Sequence, residues 1–373
     1  MSIASRAITR SSLLALPLAM VAMMTRPATA QCVGDLTGNG TVDSGDLGIL
    51  LAGWGSDGSG APGSDISGDG IVDGADLGLL MTTWGPCIVV PAWATLIEAQ
   101  PGPADVWDAD LRAAIAATGL AWRVKDTLTQ IEMVLIPPGS FLMGCSKSDQ
   151  WGCDVDGNET PTHKVTLTNA FYLGRYEVTQ GQWQTVMGSN PSYWQNASSD
   201  VPAAQVPHRP VERVSWNNIN NFGAFLWSTD MRLPTEAEWE YAYRAGTTTA
   251  FHGFAGYPSG ATDDALASNI AWHVGNACAP VGGCMTHPVG QKLANGFGVH
   301  DMGGNVWEWV ADRFGAYPSE AQTNPTGPAT GSYRVLRGGS AGHLTGNLRA
   351  SFRTYDSASN RTIYSGFRVA RSP

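Results

Sequence analysis

The sequence predicts an α+β fold with little regular structure over most of the chain, preceded by a small all-α module. Charged residues make up only 14% of the 373 residues, whereas glycine occurs 45 times and tryptophan 14 times. Such a composition is typical of loop-rich folds with an aromatic core and not of helical bundles. The net charge of −10 comes without a basic cluster, so we expect no nucleic-acid partner.

Residues 1–30 have the pattern of a secretory signal peptide. Arginines precede an apolar run at 13–24, and a small-residue cleavage motif, Ala-Thr-Ala, ends at Ala30. The apolar run is too short to span a bilayer, and no other segment is long and apolar enough. We therefore expect cleavage near Ala30 and a secreted, periplasmic or cell-surface protein without a membrane span.

Six cysteines follow this segment, and an even number in an exported chain indicates disulfides. The count alone leaves their connectivity open. A zinc site made by the last two cysteines with His273 and His287 is the alternative, but their spacing does not fit a C-x-x-C knuckle. The spacing favours the pairs Cys32–Cys87, Cys145–Cys153 and Cys278–Cys284.

A 30-residue repeat begins directly after the first cysteine. Residues 35–55 read DLTGNGTVDSGDLGILLAGWG, and residues 65–85 read DISGDGIVDGADLGLLMTTWG. Oxygen-bearing side chains stand at loop positions 1, 3, 5, 9 and 12, a glycine stands at 6, and position 7 offers a backbone carbonyl, as Ca²⁺ requires. The predicted ligands are Asp35, Thr37, Asn39, Thr41, Asp43 and Asp46 in the first copy, and Asp65, Ser67, Asp69, Ile71, Asp73 and Asp76 in the second.

Apolar residues recur at i, i+3, i+4 and i+7 after each loop, which predicts one amphipathic helix per copy. Residues 31–87 hold eight acids and no base. This module resembles the duplicated repeat of type I dockerins, which implies two Ca²⁺ ions and a cohesin-like partner or cell-surface component. It departs from that pattern after the loops, where small and apolar residues replace polar ones at Gly48, Ile49, Gly78 and Leu79.

A proline-rich stretch indicates a linker at 88–108. From 109 to 373, short β-like runs alternate with glycine-rich loops, and capping boxes that begin at Thr179 and Thr235 predict two helices. The long stretches between these signals show no period. The sequence therefore predicts an irregular α+β domain over 109–373.

An ordered series of motifs runs from 133 to 371. They read MVLIPPGSFLMG, FYLGRYEVTQGQW, PVERVSW, RLPTEAEWEYAYRAG, GVHDMGGNVWEW, RVLRGGS and SGFRVAR. This series resembles the formylglycine-generating enzyme, or sulfatase-modifying factor, family. The resemblance implies a variant of the C-type lectin fold and an oxidase that uses copper and O₂ to convert a sulfatase cysteine to formylglycine. Relatives on this fold carry out other chemistry or none.

The same resemblance implies calcium in the large domain. One family site combines two side-chain oxygens with two backbone carbonyls. At the first ligand position this sequence has Asp301, where asparagine is usual in the family. A second family site begins at an Asn-Ile pair, but its other ligands have no clear counterpart. One or two Ca²⁺ ions are therefore expected. The matching residues are Asp301, Gly304, Val306 and Glu308 for the first site, and Asn269 and Ile270 for the second.

The catalytic cysteines of the family are replaced. Counting on from the GGS motif, the two thiolate positions fall on His343 and Leu348, and a substrate-side asparagine falls on Tyr364. Cu(I) is soft and needs sulfur ligands, so we expect no copper. The sequence predicts a binding or assembly role. The alternative is an enzyme of the formylglycine-generating or non-heme-metal type, with an unidentified reaction around His343, Ser340 and Tyr364.

Overall fold

The chain was analysed as a computed structural model that describes residues 32–145, 152–153, 157–198, 200–279 and 283–373. The predicted signal peptide lies outside the described residues. Two compact units meet between Thr83 and Trp84. Within the described part of the chain, no helix is long and apolar enough to cross a membrane.

Two helices follow the two repeated loops of the first unit. Helix α1 spans Ser44–Ala52 and helix α2 spans Gly74–Thr82. Each begins with a capping box: Asp43 accepts a hydrogen bond from the N–H of Gly45, and Asp46 accepts one from the N–H of Asp43. The second copy repeats these bonds. Side-chain capping of this kind satisfies backbone donors that no intrahelical carbonyl can reach, which explains where both helices begin.

Among its described residues, the second unit contains six more helices and most of the strands. The helices are α3 (Ala109–Ala116), α4 (Gln180–Met187), α5 (Trp216–Asn220), α6 (Phe225–Thr229), α7 (Glu236–Arg244) and α8 (Asp264–Ile270), with 3₁₀ turns at Ala203–His208 and Thr345–Leu348. The strands of the chain are β1 (Thr41–Val42), β2 (Gly85–Pro86), β3 (Ala94–Glu98), β4 (Arg123–Asp126), β5 (Glu132–Ile136), β6 (Gly139–Met143), β7 (His163–Leu167), β8 (Phe171–Gly174), β9 (Cys278–Ala279), β10 (Gly283–Cys284), β11 (Trp307–Arg313), β12 (Gln322–Thr323), β13 (Tyr333–Arg337), β14 (Arg353–Ser357), β15 (Ser365–Gly366) and β16 (Ala370–Arg371).

Three sheets organise this unit. A five-stranded antiparallel sheet has the order β16-β8-β5-β4-β3. A three-stranded sheet has the order β12-β7-β6, and a four-stranded sheet has the order β14-β13-β11-β15. Aromatic side chains fill the core: Trp122, Trp239 and Trp309 are almost completely buried. The predicted α+β character of the large domain is therefore observed.

Residues 88–108 are not a linker. Strand β3 lies within them and pairs with β4 at the edge of the five-stranded sheet. Trp93 packs edge-on against Tyr172 with 5.3 Å between ring centroids, and Val106 is fully buried. The prolines that suggested a linker all lie outside the strand, where they break no ladder hydrogen bond. The large unit therefore begins at Trp84 and not at 109.

Disulfides join Cys145 to Cys153 and Cys278 to Cys284, as the spacing favoured. The second of these consumes both thiolates that the alternative zinc site would need. Cys32 and Cys87 are oxidised as well.

We expect Cys32 and Cys87 to be bonded to each other. They flank the repeat symmetrically, three residues before Asp35 and three after Trp84. Closing a loop of this length stabilises a small unit by about 2–4 kcal/mol. Peptide mapping under non-reducing conditions should recover the two cysteine peptides as one linked species. Recovery of either one joined to Cys145 would contradict the pairing.

Candidate functional site

The chain turns sharply after β13, at the GGS motif. Gly338 and Gly339 have left-handed backbone angles, with φ of 88° and 72°. A Cβ at Gly338 would lie 2.8 Å from the carbonyl oxygen of Met302, so the turn requires glycine there. The turn directs Ser340 inward and places His343 beside Trp307.

Ser340 holds the turn together and is fully buried. Its Oγ lies 2.6 Å from Nδ1 of His343 and accepts a hydrogen bond from the N–H of Gly342. A hydroxyl that is buried and engaged in this way cannot reach a substrate. The His343 ring lies edge-on to Trp307 at 5.2 Å, and burial lowers the pKa of His343. His343 is therefore a neutral imidazole at neutral pH.

Leu348 occupies the other predicted thiolate position. Its side chain is fully buried in a hydrophobic cluster that includes Phe251 and Ile270. Its carbonyl oxygen accepts a hydrogen bond from the hydroxyl of Tyr243, which fixes the backbone. The two positions therefore present one nitrogen ligand and one alkyl group, where the family's copper chemistry needs two sulfurs.

Tyr364 closes the other side of this region. Its hydroxyl donates to the carbonyl oxygen of Cys284 at 2.8 Å, and its ring lies so close to Gly342 that a Cβ there would meet it at 2.7 Å. The structure thus brings together all three residues of the predicted residual cleft, His343, Ser340 and Tyr364. The hydroxyls of Ser340 and Tyr364 and Nδ1 of His343 are engaged with the protein itself, whereas no described residue forms a hydrogen bond with Nε2 of His343.

A cavity of about 480 Å³ lies near this region and reaches Met285, the residue after Cys284. Tyr193 and Trp194 line it as an edge-to-face pair, 4.7 Å apart, with Tyr193 half exposed. Glu212 lies behind it: Oε1 accepts from the N–H of Trp194, and Oε2 has no partner among the described residues. Burial raises the pKa of Glu212 to about 7. The sequence analysis did not identify this carboxyl group.

The predicted calcium ligands of the large unit lie in a buried, acidic region. Glu308 is held by Arg368 at 2.7 Å through both carboxylate oxygens, and the indole of Trp239 also donates to it. Asp301 accepts from the N–H of Gly290 through Oδ2, whereas its buried Oδ1 has no partner among the described residues. An unpartnered buried carboxylate oxygen fits a cation ligand.

Glu177 also lies in this acidic region, although the sequence did not predict it as one of the calcium ligands. Its carboxylate accepts from the side chain of Asn305 and from the N–H of Val306. Burial raises the pKa of Glu177 well above its usual value, and the negative charges of Asp301 and Glu308 add to this effect. Three buried carboxyl groups therefore lie near Arg368 and the partly buried Lys292, and this acidic arrangement fits a divalent cation.

The second predicted pair, Asn269 and Ile270, lies at the end of α8. The side-chain amide of Asn269 donates to the carbonyls of Ala265 and Leu266 one turn earlier. Ile270 is fully buried in the same hydrophobic cluster as Leu348. These contacts give the pair a structural role in the helix, and a calcium site there stays a prediction.

Hydrogen bonds link several of the predicted ligands within each repeated loop of the first unit. Asp35 accepts from the N–H groups of Asn39 and Gly40, and Asp65 accepts from those of Gly68 and Gly70. Asp46 accepts from the N–H groups of Thr37 and Asp43, so positions 3, 9 and 12 of the loop converge. The position-12 carboxylates of both copies are fully buried, although residues 31–87 contain no basic side chain. This donor set fits Ca²⁺ in residue type and order.

Hydrogen bonds keep the second of these carboxylates ionised. The N–H groups of Ser67 and Asp73 lower the pKa of Asp76. These backbone donors offset part of the cost of burying the charge, and a bound cation would offset more of it.

Comparison with known proteins agrees with this architecture. The family described as sulfatase-modifying factor enzyme 1-like domain matches residues 121–373. The formylglycine-generating enzyme of Streptomyces coelicolor is 32% identical over 282 residues, covering 61% of this chain and 83% of that protein. The serine/threonine-protein kinase pkn1 of Chlamydia caviae is 31% identical over 260 residues, covering 64% of this chain but only 38% of the kinase.

Among solved structures, PvdO from Pseudomonas aeruginosa is 30% identical with a TM-score of 0.52, covering 67% of this chain and 98% of that one. The family match begins at Ala121, within the second unit, and extends to the last residue. The chain therefore belongs to the family of proteins with a sulfatase-modifying factor enzyme 1-like domain.

Proposed function

We propose that this is an exported calcium-binding protein whose family domain has a binding or assembly role and does not generate formylglycine. The observation that carries the proposal is the pair His343 and Leu348 at the two thiolate positions. The oxidase chemistry needs a copper-bound substrate thiolate that meets O₂, and two protein thiolates hold the copper. An imidazole and a buried leucine cannot replace them.

The contacts around the turn weigh against the alternative, an enzyme with another reaction at the same place. Ser340 is buried, and the Tyr364 hydroxyl is hydrogen-bonded to a backbone carbonyl. The region therefore offers a surface and, beside it, a cavity lined by Tyr193 and Trp194. Aromatic side chains of this kind are typical of binding surfaces.

The repeat unit gives the protein a means of attachment. Large hydrophobic side chains of this small unit are exposed to solvent. Exposed apolar side chains that lie together mark interaction sites. We propose that calcium holds the two loops and helices in shape and that the exposed side chains contact a cohesin-like protein or a cell-surface component. The exposed residues are Leu51, Trp54, Ile71, Leu79 and Met81.

The direct test is incubation of the protein with a peptide that carries the sulfatase cysteine motif, together with copper and a reductant. We expect the peptide mass to stay unchanged, because no thiolate pair is available to bind Cu(I). As a matched control, His343→Cys with Leu348→Cys should gain tight Cu(I) binding. Turnover of the peptide cysteine by the wild-type protein would restore the oxidase assignment.

A further inference from the structure

A second cavity, of about 470 Å³, shares no lining residue with the turn at His343 or with the cavity at Tyr193. It lies between strand β7, the first turn of α7 and the loop after β11. Two ionisable side chains at its surface, Asp312 and His163, are each only 4% exposed. The family chemistry discussed above does not involve either of them.

Each of these side chains has one polar atom with a protein partner and one without. Asp312 accepts from the N–H of Glu236 through Oδ2 at 2.8 Å, and no described residue donates to its Oδ1. A Cβ at Gly327 would lie 2.8 Å from that oxygen, so glycine leaves it uncovered. Nδ1 of His163 lies 3.3 Å from the carbonyl oxygen of Pro161, whereas no described residue contacts Nε2 through a hydrogen bond.

These partners decide what the two free atoms can do. A carbonyl oxygen can only accept, so Nδ1 of His163 donates to Pro161, and Nε2 is an acceptor in the neutral ring. Oδ1 of Asp312 is also an acceptor. The cavity therefore offers two hydrogen-bond acceptors and needs a ligand rich in donors.

The other charged groups at the cavity are already paired. Arg353 donates to Glu236 at 2.7 Å, and its guanidinium lies 4.0 Å from the centre of the Tyr317 ring. The Tyr317 hydroxyl donates to the other oxygen of Glu236. Arg353 is therefore paired with Glu236, and among the described residues no side chain donates a hydrogen bond to Asp312.

We propose that this cavity binds a primary ammonium group, carried either by a free alkyl amine or by a lysine side chain. An ammonium group has three N–H donors and one positive charge, so it can pair with Asp312 Oδ1 and has donors left for an acceptor such as His163 Nε2 in the same cavity. Among the described residues, no third His, Cys, Asp or Glu side chain lies close enough to these two to complete a metal site. An anion would be repelled by the carboxylate of Asp312.

Binding should depend on pH through Asp312. Burial raises the pKa of Asp312 to about 7, and the charge of Glu236 adds to this effect. The other charged or titratable groups near it are Glu238 of α7, Arg353 of β14, Arg334 of β13 and, in the same cavity lining, His163 of β7. Asp312 is mostly protonated at pH 6 and mostly ionised at pH 8, whereas an alkyl ammonium stays charged at both. The affinity should therefore fall about tenfold from pH 8 to pH 6.

Calorimetric titration of the full chain with pentylamine, 1-pentanol and pentanoate tests the proposal. We expect pentylamine to bind at pH 8 and to bind about tenfold more weakly at pH 6. We expect no binding of 1-pentanol or pentanoate. N-acetyl-lysine methylamide is the second amine probe. If it binds more tightly than pentylamine, the natural ligand is a lysine side chain. If it binds more weakly, the natural ligand is a free alkyl amine. Equal binding of pentanol and pentylamine, or no binding of either amine at pH 8, would overturn the proposal.

Variants complete the test. Asp312→Asn should reduce pentylamine binding at least tenfold and remove its pH dependence. Asp263→Asn is the matched control, because Asp263 also accepts from a helix N-terminus but lies outside the cavity, and it should bind like wild type. If Asp312→Asn fails to fold, His163→Phe is tested instead. This change keeps an aromatic ring in contact with Tyr317 but removes Nε2, so pentylamine binding should weaken. Wild-type affinity in either folded cavity variant would refute the proposal.

Discussion

Removal of calcium should unfold the repeat unit of this protein. The unit holds eight carboxylates and no base within residues 31–87, and Asp46 and Asp76 are fully buried. Without a cation, these charges repel each other around a core of two short helices. Units this small depend on metal or disulfide bonds for stability. Hydrogen exchange of the full chain in chelator should show unprotected amides over residues 32–83 while the second unit stays protected.

The double variant Asp35→Ala with Asp65→Ala should lose two bound Ca²⁺ ions in calorimetric titration, because each change removes the position-1 ligand of one loop. Asp57→Ala is the matched control. Asp57 is an acid of the same unit, but it lies between the loops and accepts from Ser59, so its removal should leave both ions bound. Full amide protection of the repeat unit in chelator would show that the loops do not need the ion.

The second large effect is expected at the carboxylate of Glu240 in α7. Glu240 is fully buried and accepts hydrogen bonds from Arg244, from Arg337 and from the N–H of Gly144. Glu240→Ala would leave two arginines in the interior without this partner. Loss of one member of a buried ion pair costs about 3–5 kcal/mol. Chemical denaturation followed by tryptophan fluorescence should show this loss for the second unit.

The matched control is Glu98→Ala. Glu98 pairs with Arg123 at 3.8 Å, and both side chains are partly exposed. Pairs of this kind contribute about 0–1 kcal/mol, so Glu98→Ala should change the free energy of unfolding little. A similar effect of both variants would mean that the network around Glu240 is not the main support of α7.

The ion pairs of Glu240 also give a pH dependence with a definite sign. Burial alone would raise its pKa, but Arg244 and Arg337 outweigh burial and lower it. The native state therefore favours the ionised form more than the unfolded chain does. The stabilisation is complete above the unfolded pKa of Glu, about 4.3, and is lost as pH falls through the lower native value.

Local signals in the sequence predicted α1, α2, α4 and α7, but not α5, α6 or α8. The capping box at Thr179 and Gln182 is formed and begins α4, and Gly188 ends that helix with a φ of 72°. The box at Thr235 and Glu238 likewise begins α7. Such signals are readable because all the interacting atoms lie within one turn of the chain. The predicted linker failed for the converse reason: whether β3 is a strand depends on β4, which lies elsewhere in the sequence.

The sequence by itself determined which ligand atoms the chain can offer. A histidine and a leucine at the two thiolate positions exclude a pair of sulfurs in any fold, and the spacing of acids in the repeat sets the order of oxygens around each loop. Only the tertiary structure decided which distant groups meet. Glu177 contacts Asn305 across 128 positions, and Asp312 and His163 come to one cavity from different strands. The burial that perturbs the pKa values of Glu177 and Asp312 exists only once those strands and helices have packed together.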